Sequence, residues 1–284
     1  MNADALDVCV IGHITRDIVH TATSRVVEQP GGVPYYAGLI YANAGLRCAV
    51  ITKLASTDRD ALTRRLSAAG VMLRLRTACT TAQFENIFED RHQEVRSQWV
   101  HVLGETFVIS DLSDINARAF HLGPLTNLDM DSAFIAAVAK RGQVYLDAQG
   151  MVRRVVNERI QPGAWEEQHT ALRDVYGLKI NSEEARMLCP KMKLEDIGAA
   201  LSQHGPKEVV ITGARQGAMI WHAGIVHHID AVPVARIVDA TGCGDAFFAG
   251  YIAGRRRGED VRCAGQRGMK AARMVLERHS VFAI

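Results

Sequence analysis

The sequence of 284 residues lacks the features that mark several large classes of protein. Its 33 basic and 31 acidic residues leave a net charge of +2 without an acidic or basic tail, so its charge does not favour a nucleic-acid partner. No stretch approaches the ~20 apolar residues of a membrane span. The first residues, MNADALD, carry acids instead of the basic start of a secretory signal. We therefore expect a cytoplasmic protein that binds neither a membrane nor nucleic acid.

Sequence patterns for disulfides, metals and dinucleotides are also missing. The six cysteines show no CxxC pair and no metal-ligand spacing, which predicts reduced and mostly buried thiols. Gly12 alone follows the first apolar run, where a dinucleotide-binding oxidoreductase needs three glycines. His222, His227 and His228 flank Gly224, and they fit an exposed hairpin better than a metal site because no fourth ligand is apparent.

Apolar strands alternate with helix-forming stretches along most of the chain. The predicted strands are 7–11, 48–54, 120–122, 143–147, 175–180 and 208–212, with a further strand end at 234–238. The predicted helices are 33–45, 59–69, 130–141, two short ones between 180 and 208, 246–253 and 263–278. This alternation indicates an α/β fold with a central, mostly parallel sheet flanked by helices on both faces.

Polar residues follow the ends of several strands, where ligands of such sheets bind. They are Asp17, Asp147, Asn181, Thr212 and Asp239. After Asp147 two interpretations stay open: a polar loop from which Arg153 or Arg154 reaches phosphates, or a surface turn held by an Asx hydrogen bond.

Two stretches interrupt the alternation, at about 13–30 and 79–102. Within the second, 80–88 and 95–102 have the composition of short strands, polar with scattered aromatic residues such as Phe84 and Trp99. No linker, repeat or low-complexity tract divides the chain. We therefore expect a single domain over residues 1–284.

The most informative segment is DATGCGDAFFAG, residues 239–250. Gly242 and Gly244 let the backbone turn tightly, so that the N–H groups of Gly242, Cys243 and Gly244 point outward at a helix N-terminus and bind an anion. Asp245 is a poor phosphate ligand because like charges repel, but it suits a base that takes the proton of an attacking hydroxyl. The alternative is an ordinary glycine-rich turn in which Asp245 only complements the helix dipole.

The segment resembles the C-terminal signature of the ribokinase-like, or PfkB-type, kinases, D-T-x-G-A-G-D-x-F-x-x-G. Further segments resemble the family in the family's order: VCVIGHITRD, PGGVPYYAG, KINSEEARML and VVITGARQGA. The resemblance implies an ATP-dependent kinase that phosphorylates a hydroxyl of a small polar acceptor, with a sugar or cyclitol first and a nucleoside as the alternative. A non-catalytic nucleotide- or sugar-binding regulator is an alternative of another class. The two interrupting stretches correspond to the family's small β-sheet lid, which is compatible with a homodimer formed through the lid.

The resemblance, together with the placement of Tyr36, Phe84, Arg96 and Asp147 in the sequence, also assigns site residues. Substrate-binding residues are Asp17, Gly31, Gly32, Tyr36, Phe84, Arg96 and Asp147. Nucleotide-binding residues are Asn181, Thr212, Gly213, Gly217, Asp239 and Thr241. Glu184 holds Mg²⁺ through water, although its spacing from Asn181 also fits a simple helix cap. A monovalent cation near the Asp239 loop is a further expectation. Arg96 has an alternative as an ordinary exposed arginine.

One departure from the family pattern concerns the acceptor. Asn usually follows the second glycine at the position of Tyr36, which exchanges an amide for a ring and one hydroxyl. Tyr36 therefore either lines the acceptor pocket or points into the core. Ala240 and Cys243 replace the usual Thr and Ala without removing a backbone donor.

Overall fold

The computed structural model describes residues 5–20, 26–88, 96–112, 115–234 and 237–277. Its strands are β1 (Leu6–Gly12), β2 (Thr15–His20), β3 (Val26–Gly31), β4 (Cys48–Leu54), β5 (Met72–Thr77), β6 (Gln83–Phe88), β7 (Arg96–Val102), β8 (Ala117–Gly123), β9 (Gln143–Asp147), β10 (Arg153–Val156), β11 (Arg159–Pro162), β12 (Gly177–Asn181), β13 (Glu208–Thr212), β14 (Ala218–His222) and β15 (Ile225–Ile229). Its helices are α1 (Val33–Asn43), α2 (Arg59–Ala68), α3 (Ser132–Ala139), α4 (Gln168–Leu172), α5 (Ser182–Leu188), α6 (Leu194–Ser202), α7 (Cys243–Arg256) and α8 (Val261–Leu276).

The larger sheet has the strand order β15-β14-β13-β12-β9-β8-β1-β4-β5. Its strands pair in parallel from β13 to β5, and β14 and β15 add an antiparallel hairpin. Every residue of β4 is buried, which is typical of a parallel sheet covered on both faces. The predicted α/β class with a mostly parallel central sheet is therefore confirmed.

Alternate residues of β1 enter two separate cores. Val8 and Val10 pack in the core that contains α1, α7 and α8, whereas Cys9 and Ile11 pack in the core that contains α3 and α6. Successive side chains of a strand point to opposite faces, so one apolar run supplies both cores. Among the described residues, no helix has the length and apolar character needed to cross a membrane.

The second sheet has the strand order β10-β11-β7-β6-β2-β3 and is mostly antiparallel, with β2 and β6 parallel. Strands β2, β3, β6 and β7 come from the two stretches that interrupt the alternation. The hairpin of β10 and β11 also joins this sheet, where we expected a loop after Asp147. Its sequence alternates weakly and follows a turn, so nothing local marks it as part of a distant sheet.

The predicted strand end before Asp239 is wrong for the residues that the structure describes, because 231–234 and 237–240 have no strand assignment. Val238 is 38% exposed, and its N–H donates to the carbonyl oxygen of Leu276 at the end of α8. The apolar residues Val232, Pro233, Val234 and Ile237 line the central cavity described below instead of forming a buried strand.

Candidate active site

A central cavity of about 1110 Å³ lies between the carboxyl ends of the larger sheet and the inner face of the second sheet. Its walls combine the start of α7, the ends of β12 and β13, and side chains of β2, β6 and β7. Ligands of open α/β sheets bind at this edge because strand ends and helix N-termini converge there. The cavity is therefore the candidate active site.

The start of α7 forms one wall of the cavity. Gly242 precedes the helix in the left-handed region, with φ of 81°, and a Cβ atom at this position would also collide with the ring of Tyr36. As a glycine, the N-cap residue Gly242 has no side chain with which to cap the helix. The Cys243 N–H donates to the Ala240 carbonyl oxygen at 3.2 Å, so that N–H also serves the turn. Asp245 lies in the first helical turn and faces the cavity.

Lys179 lies beside this helix end. Its Nζ atom is 3.1 Å from the position that a Cβ atom on Gly244 would occupy, and 2.8 Å from the Oδ2 atom of Asp147. Burial lowers the pKa of Lys179, but Asp147, Glu184 and Asp245 outweigh that effect and raise the pKa above its usual value. The cavity therefore contains a fixed positive charge next to the turn at 242–244.

Asn181 and Glu184 form a reciprocal cap at the start of α5. The Asn181 Oδ1 atom accepts hydrogen bonds from the N–H groups of Glu183 and Glu184, and the Glu184 Oε2 atom accepts one from the Asn181 N–H. Both residues also line the cavity. An amide oxygen has two lone pairs, whereas a carboxylate has about four acceptor sites. The Glu184 carboxylate therefore still has acceptor sites for the water molecules around a Mg²⁺ ion. The Asn181 Oδ1 atom already accepts two hydrogen bonds, so it does not fit as a direct Mg²⁺ ligand.

The end of the cavity beneath the second sheet contains Asp17. Its Oδ1 atom accepts a hydrogen bond of 2.6 Å from the Thr15 hydroxyl, and any Cβ atom on Gly31 would collide with its carboxyl group. Gly32 follows and lines the cavity with Asp17 and Thr15. The absence of a side chain at Gly31 therefore lets the backbone approach the Asp17 carboxyl group closely.

The second sheet contributes a mixed polar and apolar face. Phe84, Asn86 and Phe88 alternate along β6 and line the cavity. Asn86 pairs with Gln98 of β7, and the Gln98 Nε2 atom donates to the Asn86 Oδ1 atom at 2.6 Å. Arg153 also lines the cavity, whereas Arg154 donates to the backbone carbonyls of Met151, Arg153 and Ala164.

Most of the predicted site residues meet at this cavity. The lining includes Asp17, Gly32, Tyr36, Phe84, Asn181, Glu184, Thr212, Gly217, Thr241, Gly242, Cys243, Gly244 and Asp245. Four others lie outside the lining among the described residues: Gly31, Asp147, Gly213 and Asp239. The side chain of Arg96 lies outside the described part of the chain.

Two of these placements, those of Asp147 and Tyr36, need comment, and the histidines around Gly224 lie where the favoured interpretation put them. Asp147 is fully buried against Lys179, and its Oδ1 atom also accepts from the Gln149 N–H, which is the Asx bond of the alternative interpretation. Tyr36 is buried in the core and lines the cavity at once. The histidines around Gly224 lie in the β14–β15 hairpin, and no metal-binding cluster is found among the described residues.

Sequence reasoning missed Lys179, Thr15, Asn86 and Gln98. Lys179 carried a usable signal, because a lysine between Leu178 and Ile180 interrupts an apolar strand and shares its face with the cavity-lining Asn181. The other three are polar residues in short strands, and their inward direction depends on the pairing of the second sheet.

The family model for pfkB family carbohydrate kinases matches residues 5–283 of the chain. A cytidine kinase of Thermococcus kodakarensis is 27% identical over 300 residues, which cover 98% of this chain and 99% of that protein. A fructokinase of Escherichia coli is 25% identical and covers 87% of this chain and 83% of its own. Among solved structures, a pyrophosphate-dependent kinase in the ribokinase family, complexed with a pyrophosphate analog and myo-inositol, has a TM-score of 0.86 at 22% identity, covering 96% and 95% of the two chains.

Proposed function

The chain belongs to the pfkB family of carbohydrate kinases and is a phosphotransferase that acts on a hydroxyl group, and we propose that it transfers the γ-phosphoryl group of ATP to a sugar or cyclitol. The observation that carries this proposal is a shared cavity. Asp245, the backbone at the start of α7 and Asp17 beneath the second sheet all face it. A donor phosphate and an acceptor hydroxyl can therefore meet beside a carboxylate.

The proposed step is an in-line displacement. The acceptor oxygen bonds to the γ-phosphorus while the bond from that phosphorus to the bridging oxygen of ADP breaks. Asp245 takes the proton of the acceptor hydroxyl. The N–H groups of the turn at 242–244 and the ammonium of Lys179 stabilise the charge on the transferring group.

Donor binding is assigned to the carboxyl ends of β12 and β13 and to α8. Thr212, Gly213, Gly217, Asp239 and Thr241 shape the nucleotide side in this proposal. Mg²⁺ bound through water to Glu184 would neutralise charge on the donor phosphates. A monovalent cation beside Asp239 and a homodimer through the second sheet stay predictions.

We assign the acceptor to the space beneath the second sheet, which acts as a lid over one kinase domain spanning residues 1–284. Asp17, Gly31 and Gly32 contribute on one side of it, and Asn86 and Gln98 on the other. Carboxylate, amide and backbone groups together donate and accept hydrogen bonds, which suits several hydroxyls on one small ring. Arg96 stays an acceptor-side prediction.

A nucleoside is the second candidate acceptor. The full-length similarity to a cytidine kinase favours it, and Phe84 and Phe88 supply aromatic surface on the cavity face on which a base can stack. The regulator alternative gains no support, since the family and the three proteins compared above are all named kinases.

A donor and acceptor panel tests the proposal. ATP and pyrophosphate are each offered with hexoses, pentoses, myo-inositol, cytidine and adenosine, in the presence of Mg²⁺, and the phosphorylated product is measured directly. We expect the highest kcat/KM with ATP and a sugar or cyclitol, and loss of that product in the Asp245→Asn variant. Higher kcat/KM for a nucleoside, or for pyrophosphate as donor, would overturn the corresponding assignment.

A further inference from the structure

A hydrogen bond joins the second sheet to the start of the glycine motif. The Gln29 Nε2 atom of β3 donates to the Asp239 Oδ2 atom at 2.8 Å, across a sequence separation of 210 residues. Both residues are buried, with 5% and 4% of their surface exposed. The bond is therefore shielded from water, which cannot easily replace either partner.

The two partners belong to opposite halves of the site. Gln29 lies two residues before Gly31, on the strand that brings the glycine pair to Asp17. The other oxygen of Asp239, Oδ1, accepts a hydrogen bond of 2.7 Å from the Thr241 N–H, directly before Gly242. One carboxylate thus connects the acceptor-side strand to the first residues of the anion-binding turn.

We propose that Gln29 is a positioning residue for phosphoryl transfer, acting through Asp239 on the turn that binds the transferring phosphate. This inference rests on the proposed function. A carboxylate held at both oxygens has one orientation, and that orientation fixes the Thr241 N–H and the path of the chain into Gly242. Misplacement of catalytic groups by about 1 Å costs up to ~10²-fold in rate. Loss of the Gln29 bond is therefore expected to lower the kcat/KM for the phosphate donor.

The central test compares Gln29→Leu with Glu28→Gln. Glu28 is the neighbouring residue on β3, and its half-exposed ion pair with Arg16 contributes little. With the acceptor that gives the highest turnover, Gln29→Leu is expected to lower the donor kcat/KM at least about tenfold, and the acceptor KM is expected to stay within about twofold. Mere distortion of β3 predicts the reverse, a raised acceptor KM, because β3 leads directly into the glycine pair.

A double-mutant cycle identifies the partner. Gln29→Leu is expected to add little to the loss already caused by Asp239→Ala, because the effects of two residues that act through one bond are not additive. Gln29→Glu supplies a second readout. In this variant two carboxyl groups lie side by side, which raises the pKa of one of them. At low pH the protonated Glu side chain donates a hydrogen bond to Asp239, and at high pH the two carboxylates repel each other. The ratio of variant to wild-type kcat is therefore expected to fall as pH rises.

Calorimetric titration with ATP–Mg²⁺ and pyrophosphate–Mg²⁺ needs no acceptor and separates this proposal from the proposed function. If no acceptor is turned over, the proposed function fails, whereas weaker donor binding by Gln29→Leu than by Glu28→Gln still supports the role of Gln29. Equal donor binding and equal kcat/KM in the two variants, or additive effects in the cycle, would overturn it.

Discussion

The Nζ atom of Lys179 lies 2.8 Å from the Oδ2 atom of Asp147, and the two side chains are 4% and 0% exposed. β12 and β9 are parallel neighbours, with Lys179 opposite Asp147 in the register. The raised pKa of Lys179 keeps it charged, so the pair places a permanent ammonium group between a buried carboxylate and the Gly244 end of α7. The ammonium group can therefore bind an anion, and it keeps Asp147 as its partner when no anion is bound.

Replacing Lys179 by Met is expected to reduce both stability and activity. The variant leaves the Asp147 carboxylate buried without its partner, which typically costs about 3–5 kcal/mol. It also removes the charge beside the phosphate, so kcat/KM for the donor is expected to fall at least ~10²-fold. Urea unfolding and steady-state kinetics measure the two effects.

The double variant Lys179→Met with Asp147→Asn separates the two roles. It removes both charges, so most of the lost stability is expected to return, while the kinetic defect persists. Recovery of kcat/KM together with stability would show that the pair supports only the fold.

The Asp245→Asn variant tests the base directly. An amide cannot take the proton of the acceptor hydroxyl, so kcat is expected to fall at least ~10²-fold. Donor affinity is expected to change little, because the anion-binding groups are backbone N–H and Lys179. Asp196→Asn is the matched control, since it removes an exposed first-turn acid from α6. A variant that keeps more than about a tenth of wild-type kcat when chemistry limits the rate contradicts the assignment.

Glu184→Gln separates the helix cap from the metal role. The Gln side chain keeps an oxygen that can accept from the Asn181 N–H, so the unfolding midpoint is expected to stay near that of the wild type. It loses the charge that attracts Mg²⁺, so the Mg²⁺ concentration for half-maximal velocity is expected to rise roughly tenfold. An unchanged Mg²⁺ titration would leave Glu184 as a capping residue alone.

The larger sheet could be predicted from the sequence because its signals are local. The apolar runs at 48–54, 143–147 and 208–212 match β4, β9 and β13 in both bounds. The glycine motif likewise predicts the turn before α7, because Gly242 takes a backbone conformation that other residues adopt only with strain.

The parts that escaped prediction depend on contacts between distant segments. Arg159 of the β10–β11 hairpin pairs with Trp99 of β7, and the sequence of neither strand indicates that it pairs with the other. The sequence places Tyr36 and Gly242 in opposite halves of the chain, yet the ring lies against that glycine. Neither segment alone could therefore have predicted this contact.

His121 makes stability sensitive to acid. Burial lowers its pKa to about 4, while its Nδ1 atom lies 3.0 Å from the Tyr41 hydroxyl oxygen. The unfolded chain takes up a proton below pH ~6.5 that the folded protein excludes until about pH 4. The free energy of unfolding is therefore expected to fall by about 3 kcal/mol from this residue as pH drops through that interval.

His121→Phe tests the assignment by urea unfolding between pH 7 and pH 4.5. The variant loses the bond to Tyr41 at every pH, but its stability is expected to depend less steeply on pH than that of the wild type. His13, whose pKa is also lowered by burial, is present in both proteins, so its contribution cancels in the comparison. Parallel curves would assign the acid sensitivity to other groups.

The last prediction concerns Tyr36, whose ring supports the anion-binding turn. Tyr36→Phe keeps that ring, so stability and kcat are expected to stay near wild type unless the hydroxyl contacts the acceptor, in which case the acceptor KM alone rises. Tyr36→Ala removes a fully buried ring from beneath Gly242, which is expected to cost about 3–5 kcal/mol of stability. The turn also loses its support, so the donor kcat/KM is expected to fall with it.

Tyr35→Ala is the control, because it removes the neighbouring buried ring, 5.4 Å from that of Tyr36, on the same helix. A general loss of packing in α1 affects both Ala variants alike, and measurements at a temperature where both are folded remove that contribution. A donor-side kinetic defect confined to Tyr36→Ala would then be caused by the contact with Gly242. A defect confined to the acceptor KM would instead show that the Tyr36 ring packs on the substrate, and equal kinetics in the two variants would show that Tyr36 contributes only to the core.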